Sequence, residues 1–551
     1  MTATPILSVR DLSISYRSRG TDTTVVHNVG FDIGTGEVVA VVGESGSGKT
    51  TTAQAVIGLL ADNGRVDSGS ILINGTDIAH WSPKQLQSVR GRRIGLIPQD
   101  PHNSLNPVKT IGANLAEVLR IHRYGPAPLI RSRVIELLER VGIPEASLRA
   151  KQYPHELSGG MKQRVLIASA IALQPELIIA DEATSALDVT VQQHILDLLD
   201  DLREELGTAI LFVTHDLAVA ADRASRILVM KDGRIQEQGP SAELLANPTT
   251  EYTRKLLSDA PSMTVRDRDS RPATRALLTT APAIITVDNL VQDFARGRGT
   301  FRAIDDVSFT VARGTTHAIV GESGSGKTTV ARAVAGFRTP TSGSIRITDT
   351  DVTVLKREPL RQFRRSVQLV YQNPFSSLDP RQSVASIVAE PLKNFDIGDA
   401  ASRAATVAEY IDRVALPASS LTRLPRELSG GQRQRVALAR ALVLHPEVVV
   451  LDEAVSALDV TVQAQILRLL EKLQDELGLT YLFISHDLAV VRHIADTLSV
   501  MQRGRIVESG TADAVFDSPD NDYTRELLEA IPGRRLVRAG ATAGAGKGLA
   551  R

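Results

Sequence analysis

The chain has no cysteine among its 551 residues. This absence excludes disulfide bonds, cysteine-ligated iron–sulfur clusters and zinc sites built from thiolates. A net charge is lacking too, because 63 lysine and arginine residues balance 63 aspartate and glutamate residues. The simplest sign of nucleic-acid binding, a strong basic excess, is therefore missing, although the balance leaves room for local basic patches.

Long apolar segments are also missing. No apolar run approaches the roughly 18 residues that a membrane span needs. The first residues, Met-Thr-Ala-Thr-Pro, contain neither the basic region nor the apolar region of a signal peptide. We therefore expect a soluble, cytoplasmic chain.

What the chain does contain is one nine-residue sequence in two places. Gly-Glu-Ser-Gly-Ser-Gly-Lys-Thr-Thr occurs unchanged at 43–51 and at 321–329. Each copy follows an apolar run typical of a β-strand and precedes a helix-like amphipathic stretch. In that context the glycines let backbone N–H groups surround a phosphate, and the helix dipole adds positive potential. The pattern predicts two nucleotide-binding phosphate loops, and a glycine- and serine-rich surface turn is the alternative.

The side chains of the two loops have separate predicted tasks. Lys49 and Lys327 should reach β- and γ-phosphate oxygens, and the hydroxyls of Thr50 and Thr328 should ligate Mg²⁺. The predicted nucleotide-binding residues of the loops are Gly43, Ser45, Gly46, Gly48, Lys49, Thr50 and Thr51, with Gly321, Ser323, Gly324, Gly326, Lys327, Thr328 and Thr329.

The repeat extends well beyond the loops. Lys49 recurs as Lys327, an offset of 278 residues, whereas Leu-Ser-Gly-Gly at 157–160 recurs at 428–431, an offset of 271. The later motifs keep the offset of 271, so the repeat indicates duplication of a whole domain. We predict a first domain over 1–261, a polar linker over 262–283, a second domain over 284–532 and a disordered tail over 533–551.

The pattern between the motifs predicts the fold class. Apolar β-branched runs alternate with helical periods, which favours an α/β fold with a largely parallel sheet in each copy. Ile130, Val134, Leu138 and Val141 recur at helical spacing and stop at Gly142, which is typical of a helix end. Each copy therefore carries a helical insertion between its phosphate loop and its Leu-Ser-Gly-Gly sequence.

Two apolar strands end in adjacent carboxylates. Leu-Ile-Ile-Ala precedes Asp181 and Glu182, and Val-Val-Val-Leu precedes Asp452 and Glu453. Buried parallel strands end at the crevice where α/β sheets bind ligands, and successive side chains point in opposite directions. Each aspartate would complete the Mg²⁺ shell, and each glutamate would orient or deprotonate the attacking water. A solvated Asp-Glu pair at a strand end is the alternative.

Two further strands end in histidines, His215 and His486, which are equivalent at the offset of 271. They would contact the γ-phosphate or the catalytic water, although a lone histidine after a strand is more often structural. By contrast, His155 aligns with Arg426, so we assign it no chemistry.

The Leu-Ser-Gly-Gly sequences each lead into a helix and predict a second phosphate cradle. The residues of these cradles are Ser158, Gly159 and Gly160, with Ser429, Gly430 and Gly431. Backbone N–H groups at a helix N-terminus favour an anion. One triphosphate cannot obviously occupy both cradles of one domain, so we expect the cradle of one copy to close over the nucleotide of the other.

Taken together, these motifs resemble those of the ATPase subunits of ABC transporters. The set comprises the phosphate loop, Gln99 or Gln372, Leu-Ser-Gly-Gly, the Asp-Glu strand, Ser-Ala-Leu-Asp at 185–188 and 456–459, and the histidine. The segments that begin at Gln99 and Gln372 and contain Ser-Leu-Asn-Pro or Ser-Leu-Asp-Pro look like those of dipeptide, oligopeptide, glutathione and nickel importers.

The resemblance implies two tandem P-loop ATPase domains, each with a mainly parallel sheet core, a helical subdomain and an antiparallel β part. It implies ATP and Mg²⁺ as ligands, with Gln99 and Gln372 on the metal and an aromatic ring, Tyr16 or Phe294, stacked on adenine. A core aromatic on an opening strand is the alternative for those rings. The two ATP sites would be composite and head to tail, each pairing the phosphate loop of one half with the Ser-Gly-Gly of the other, and both would hydrolyse ATP.

The resemblance also implies partners. An importer would need two transmembrane permease subunits and an extracytoplasmic substrate-binding protein, with this chain at the cytoplasmic face of the membrane. The cysteine-rich segment common after the first domain of peptide-importer ATPases is missing here, so peptide, glutathione, nickel and other solutes stay open. The rival function is a tandem ABC ATPase acting on nucleic acid or ribosomes, and a sugar importer with fused ATPases is a nearer rival.

Overall fold

The computed structural model describes most of the chain, namely residues 4–18, 20–101, 103–184, 187–262, 277–278, 280–296, 299–372, 377–456 and 458–533. Most of the predicted linker, the predicted tail after residue 533 and parts of the two Ser-Ala-Leu-Asp sequences lie outside these residues. The chain divides into two compact units, Met1–Met263 together with Pro532–Arg551, and Thr264–Ile531. We call them the N-terminal unit and the C-terminal unit, and the predicted domain bounds stay a prediction.

The N-terminal unit contains two sheets. A four-stranded antiparallel sheet has the order β2-β1-β4-β5, and a six-stranded sheet has the order β10-β9-β3-β8-β7-β6. The six-stranded sheet is parallel except for β10. The strands are β1 Leu7–Ser18, β2 Thr21–Ile33, β3 Val38–Val42, β4 Gly64–Ile73, β5 Thr76–Asp77, β6 Ile94–Ile97, β7 Leu177–Asp181, β8 Ala209–Val213, β9 Arg226–Lys231 and β10 Arg234–Pro240.

The helices of this unit pack against the six-stranded sheet or form the inserted helical layer between β6 and β7. They are Lys49–Val56, Pro83–Leu86, Ile111–Ile121, Ala127–Arg140, Ala146–Arg149, Gly159–Ala170, Val189–Leu206, Leu217–Arg223, Ser241–Ala246 and Glu251–Asp259, with a 3₁₀ turn at Pro154–Glu156.

The C-terminal unit repeats this architecture. Its antiparallel sheet has the order β12-β11-β14-β15, and its mainly parallel sheet has the order β16-β17-β18-β13-β19-β20. The strands are β11 Ala283–Arg296, β12 Gly299–Ala312, β13 Thr316–Val320, β14 Ser342–Ile347, β15 Thr350–Asp351, β16 Val367–Val370, β17 Val448–Asp452, β18 Thr480–Ser485, β19 Thr497–Gln502 and β20 Arg505–Thr511.

Its helices follow the same succession. They are Lys327–Val334, Arg357–Ser366, Val384–Asn394, Ala400–Arg413, Gly430–Leu442, Val460–Leu477, Leu488–Ile494, Ala512–Asp517 and Asp522–Glu529, with 3₁₀ turns at Val352–Val354, Ala418–Ser420 and Pro425–Glu427.

The predicted α/β fold and the predicted helical insertion are confirmed. The apolar runs of β3, β7 and β8 are buried along their whole length, because helices cover one face of the sheet and the antiparallel sheet covers the other. The helix Ala127–Arg140 buries Ile130, Val134 and Leu138, and Gly142 follows it with φ 70°. None of the helices in the described part of the chain combines the length and the hydropathy that a bilayer span requires.

One difference between the two units is a buried histidine. His317 on β13 occupies the position that Val39 has on β3, and it is only 2% exposed. Its ring nitrogens lie 2.8 Å from the hydroxyl of Thr497 and 3.1 Å from that of Ser499. Burial lowers the pKa of His317 to about 4, so the ring is neutral in the folded unit near neutral pH.

This histidine should make the stability of the C-terminal unit depend on pH. Between pH 6.5 and pH 4 the unfolded chain binds a proton at His317 that the folded unit does not bind, so stability is full above this window and falls as the pH decreases. We expect a loss of about 2 kcal/mol between pH 7 and pH 5. Hydrogen exchange of the strand Thr316–Val320 measures this loss, and His317→Gln should remove it.

The N-terminal unit provides the internal control for this measurement. Its Trp81 is the sole tryptophan of the sequence, so fluorescence follows the unfolding of that unit separately. An equal loss of protection in wild type and His317→Gln would contradict the assignment.

Candidate functional site

Three neighbouring strands place the predicted residues at one edge of each parallel sheet. In the N-terminal unit β8 pairs in parallel with both β3 and β7, so the carboxyl ends of all three strands meet. The phosphate loop follows β3, Asp181 and Glu182 end β7, and His215 follows β8. The C-terminal unit repeats this order with β13, β18 and β17. Residues far apart in the sequence are therefore neighbours.

The loop lysines are held inside their own loops. Lys49 is 5% exposed, and its ammonium donates to the carbonyl oxygens of Gly43 and Glu44, both at 2.8 Å. Lys327 donates in the same way to Gly321, at 2.7 Å, and to Glu322, at 2.8 Å. A desolvated ammonium that donates to neutral carbonyls is well placed to turn toward an anion that enters the loop.

The backbone of the loop requires glycine at its first position. Gly43 has φ 150°, and a β-carbon there would lie 2.1 Å from the carbonyl oxygen of Met230. Gly321 has φ 144° and would meet the carbonyl of Met501 at the same distance. Further along the loops, the predicted residues Gly46, Gly48, Gly324 and Gly326 also have positive φ. The loop therefore approaches the next strand more closely than any side chain allows.

A hydroxyl and a carboxylate converge below each loop. The Oγ1 of Thr50 donates to Oδ1 of Asp181 at 3.0 Å, and the Oγ1 of Thr328 donates to Oδ1 of Asp452 at 3.0 Å. Burial raises the pKa of both aspartates above the ordinary value. A cation at this point would restore the favoured ionised form.

The donor set of this point fits Mg²⁺. Within the residues that the structure describes, no group of three or more histidines, cysteines, aspartates or glutamates could hold a metal ion. One carboxylate and one hydroxyl are nevertheless what Mg²⁺ uses where nucleotide phosphates and water complete its shell. The metal assignment of Thr50, Asp181, Thr328 and Asp452 stays a proposal.

Glu182 is clamped between two side chains. The amide nitrogen of Gln99 donates to Oε2 at 2.7 Å, and Nδ1 of His215 lies 3.3 Å from Oε1. Glu182 also has φ 48°, a left-handed conformation that is uncommon outside glycine, and its N–H donates to Val213 at 2.9 Å. Strained backbone of this kind is concentrated at functional sites, where it fixes the direction of a side chain.

The clamp sets the charge of the site. Burial raises the pKa of Glu182, but the hydrogen bond and charge of His215, aided by Lys49 and Gln99, outweigh it and hold the pKa below its usual value. For His215, burial lowers the pKa, and the interaction with Glu182 outweighs it, so the pKa is raised. The carboxylate is therefore ionised and ready to accept a proton.

The C-terminal unit builds the same clamp. Gln372 donates to Oε2 of Glu453 at 2.6 Å, and Nδ1 of His486 lies 3.2 Å from that oxygen. Glu453 has φ 49°. In both units the structure thus brings together the glutamine, glutamate and histidine that the sequence predicted separately. The glutamine and the histidine contact the glutamate directly, while their predicted contacts with metal and phosphate stay predictions.

The Ser-Gly-Gly sequences begin helices, as predicted. Ser158 caps the helix Gly159–Ala170 by accepting from the N–H of Met161 at 3.3 Å. Ser429 accepts from the N–H of Gln432 at 3.3 Å at the start of the equivalent helix. Each cap leaves the other N–H groups of the first turn directed outward, where they can meet an anion.

The two glycines of each cradle differ in the space that the fold leaves for a β-carbon. A β-carbon at Gly160 would lie 2.6 Å from Val191, and one at Gly431 would lie 2.3 Å from Val462. A β-carbon at Gly159 or Gly430 would meet only a leucine methyl, at 3.9 or 3.7 Å. Packing within the unit therefore explains the second glycine but leaves the first to another cause.

The two aromatic rings of the opening strands have different surroundings. Tyr16 is half-buried and lies over Gly64, where a β-carbon would come within 2.6 Å of the ring. Phe294 is half-buried, and the guanidinium of Arg338 lies 4.6 Å from its centre. Stacking of adenine on these rings stays a prediction.

Sequence reasoning missed two tyrosines that touch the loops. The N–H of Glu44 donates to the hydroxyl of Tyr252 at 3.2 Å, and the N–H of Glu322 donates to that of Tyr523 at 3.2 Å. The available signal was a repeated Tyr-Thr-Arg at 252–254 and 523–525, again at the offset of 271.

Two family models match the chain, each of them twice. The model described as "ABC transporter" covers residues 26–185 and 304–456. The model described as "Oligopeptide/dipeptide transporter, C-terminal region" covers residues 236–284 and 507–545.

Curated relatives match over nearly the whole length. A peptidoglycan transport ATP-binding protein of Agrobacterium fabrum is 43% identical over 96% of this chain and 96% of its own. An oligopeptide transport ATP-binding protein of Mycobacterium tuberculosis is 38% identical over 97% and 100%. A glutathione import ATP-binding protein of Salmonella choleraesuis is 40% identical over 96% and 89%.

Solved structures match over less than half of the chain. An ATP-binding cassette in a post-hydrolysis state, bound to ADP and phosphate, is 28% identical over 41% of this chain and 98% of its own, with a TM-score of 0.39. A component of an ABC transporter complex of Clostridium perfringens is 28% identical over 47% and 99%, with a TM-score of 0.41.

Proposed function

Because the chain belongs to the ABC transporter family, we propose that it is the ATP-hydrolysing subunit of an importer for peptides of the dipeptide and oligopeptide class. The observation that carries this proposal is the duplicated cluster of loop lysine, threonine, aspartate and clamped glutamate. Both copies keep the same contacts to within about 0.1 Å. We therefore propose two sites that both hydrolyse ATP, without a degenerate copy.

The chemistry of each site follows from the clamp. The carboxylate of Glu182 accepts a proton from the attacking water as the water oxygen bonds to the γ-phosphorus. The bond between that phosphorus and the bridging oxygen breaks, and ADP leaves with the electron pair. Gln99 and His215 hold the carboxylate in place, and Lys49 turns from its carbonyls to the phosphates. Mg²⁺, when bound beside Thr50, would neutralise phosphate charge. Glu453 and its neighbours act in the same way in the second site.

We propose that each site is completed by the Ser-Gly-Gly cradle of the other unit. Two observations support this arrangement. Each cradle presents the N–H groups of a helix N-terminus, and the first glycine of each cradle has no packing neighbour that demands it. A phosphate at van der Waals distance from the backbone would require glycine at this position, because a β-carbon would occupy the same space.

This arrangement predicts a specific effect of Gly159→Ala and Gly430→Ala. The added methyl group fits within the unit, so thermal stability should not change, but it should occupy the phosphate position and lower ATP hydrolysis on the order of 10-fold. Steady-state phosphate release measures the effect. Gly239→Ala is the matched control, because a β-carbon there meets nothing within 4 Å. Equal activity of all three variants and wild type would contradict the composite site.

The family and one groove support the partners that we propose. We propose two transmembrane permease subunits and an extracytoplasmic substrate-binding protein, with this chain at the cytoplasmic face of the membrane. A groove of about 790 Å³ in the C-terminal unit lies beside Tyr371, next to the clamp residue Gln372. Phe337, with the guanidinium of Arg364 4.7 Å from its ring, and Arg440 line it. This groove suits a short amphipathic helix of a permease, whose movement would reach the clamp through Gln372.

The solute that we propose is a peptide. The C-terminal region model in both units favours peptides, whereas the relatives named for peptidoglycan and glutathione transport keep those solutes as alternatives. Nickel or another small solute remains the runner-up. An ATPase that acts on nucleic acid or ribosomes is disfavoured by the near-zero net charge and by the lack of cysteine for zinc.

The deciding experiment is purification of the chain from native membranes in mild detergent, with identification of every partner. We expect two polytopic membrane proteins and an extracytoplasmic binding protein. The complex is then placed in liposomes, where a peptide mixture, glutathione or Ni²⁺ is tested for stimulation of ATP hydrolysis. Recovery of ribosomal or DNA-repair proteins without any membrane protein would overturn the importer function and leave the ATPase chemistry.

A further inference from the structure

One peptide group in each phosphate loop is held from both ends. The C=O of Gly43 accepts from the ammonium of Lys49 at 2.8 Å, and the N–H of the same peptide group, on Glu44, donates to the hydroxyl of Tyr252 at 3.2 Å. Since the C=O and N–H of a trans peptide point in opposite directions, fixing one end fixes the plane of the other. Tyr252 therefore sets the direction of the carbonyl that holds the lysine.

The C-terminal unit repeats the arrangement atom for atom. Gly321 accepts from Lys327 at 2.7 Å, and the N–H of Glu322 donates to Tyr523 at 3.2 Å. The two tyrosines lie 208 and 201 residues from their loop partners, so neither contact is a consequence of local sequence. Its recurrence in both units makes a chance contact a poor explanation.

Each tyrosine lies on a helix that is itself anchored. We call the helices Glu251–Asp259 and Asp522–Glu529 the docking helices. Just before the first docking helix, the N–H groups of Thr249 and Thr250 donate to the two oxygens of Glu237, at 2.8 and 3.2 Å. Glu237 lies on β10, so the helix start is tied to the edge strand of the six-stranded sheet.

The anchor of the second docking helix has the same design. The N–H groups of Asp520 and Asn521 donate to the two oxygens of Glu508 on β20, at 2.9 and 3.2 Å. In the first anchor, burial raises the pKa of Glu237. The N–H groups of Thr249 and Thr250 and the hydroxyls of Thr249 and Thr253 outweigh this effect and lower the pKa to about 2. The acceptor is therefore ionised at any pH near neutrality, and the bonds to it are charge-assisted.

From these contacts we infer that Tyr252 and Tyr523 are positioning residues, which hold the phosphate loops in a nucleotide-ready shape for the ATP hydrolysis proposed above. The docking helices fall within residues 236–284 and 507–545, the two matches to the C-terminal region model. That region thus acts on the ATP site from outside the phosphate loop. A loop that is already ordered loses less conformational entropy when the nucleotide binds.

The test removes only the two hydroxyl groups, in the full chain carrying Tyr252→Phe and Tyr523→Phe. We expect the KM for ATP and the Kd for Mg²⁺-ATP to rise about 3- to 10-fold, the effect of one neutral hydrogen bond per site, while kcat stays within about 2-fold. We expect the affinity for ATP to change while kcat does not, because the ordered loop stabilises the bound ground state and the transition state equally. A stability defect alone would not produce this separation.

The matched control is Tyr481→Phe. Its hydroxyl is buried in the C-terminal unit, where it donates at 2.9 Å to the carbonyl of Leu470 on the helix Val460–Leu477. We expect a loss of stability with an unchanged KM. Similar KM values for the double variant, the control and wild type would overturn the inference, as would a fall in kcat at constant KM.

A second readout needs no catalysis and keeps the inference separate from the proposed function. In the nucleotide-free protein, the amides of the segments 43–48 and 321–326 should exchange about 3- to 10-fold faster in the double variant than in wild type. If wild type hydrolyses no ATP, the proposed function fails, while this exchange still decides whether the tyrosines hold the loops. Unchanged exchange would overturn the inference even with full ATPase activity.

The anchors provide an independent check. Glu237→Gln with Glu508→Gln keeps both tyrosines but replaces one acceptor oxygen at the start of each docking helix by an amide that donates. We expect the same direction of change, a rise of 2-fold or more in KM with kcat retained. An unchanged KM would show that the contacts of Glu237 and Glu508 do not help to hold the phosphate loops.

Discussion

Replacing Glu182 and Glu453 together by glutamine should lower steady-state ATP hydrolysis at least 10²-fold, in the range expected for loss of a general base. Glutamine keeps the size of the side chain and can still meet Gln99 or His215, but it cannot accept the proton of the attacking water. Nucleotide binding should stay within a few-fold of wild type, because the loop lysines are untouched. Phosphate release and equilibrium ATP binding measure the two quantities.

The single variants test whether both sites hydrolyse ATP. If both sites hydrolyse ATP, Glu182→Gln and Glu453→Gln should each lower the rate, because each glutamate is held by a glutamine and a histidine. Glu204→Gln is the control, since that carboxylate is exposed and pairs with its neighbour Arg203 on the helix Val189–Leu206. Wild-type hydrolysis in Glu182→Gln would show that the base is assigned wrongly.

The second large effect is expected from Lys49→Met together with Lys327→Met. Methionine is close to lysine in length and suits a buried position, but it carries neither charge nor donors. Two hydrogen bonds from a charged group are worth about 3 kcal/mol or more, so the Kd for ATP should rise at least about 10²-fold. Fluorescent-nucleotide titration measures the loss.

Folding should survive these two changes, because methionine is close to lysine in length and suits a buried position. Lys84→Met serves as the control, since Lys84 is exposed on the short helix Pro83–Leu86. Retention of wild-type affinity in the double variant would refute the phosphate-binding role of the loops. Loss of the folded state would instead show that the buried ammonium is structural.

Much of the site could be predicted because its parts are contiguous in sequence. A phosphate loop needs glycines at fixed spacing, and a buried strand that ends in Asp181 and Glu182 is legible as an apolar run followed by charge. The duplication strengthened each prediction, since a chance motif has no reason to recur at a constant offset. The helical insertion was predicted in the same way, from the spacing of Ile130, Val134 and Leu138.

The contacts between these parts could not be predicted. Gln99 lies 83 residues from Glu182, and Tyr252 lies 208 residues from Glu44. Periodicity describes neighbours along a helix or strand and carries no information about which strand ends meet. The roles of the two cradle glycines were equally hidden, because only the position of Val191 shows that the fold itself requires Gly160.

The sequence by itself determined the fold class and the duplication, and it predicted the phosphate-binding and carboxylate residues, since each depends on local spacing and on the chemistry of the residue type. Only the tertiary structure decided that histidine and glutamine share one glutamate, that this glutamate has a left-handed backbone, and that a distant tyrosine contacts the phosphate loop. These features depend on the order β3-β8-β7 and on where the docking helix returns to the sheet. That order is set by the packing of the whole unit, which no local pattern records.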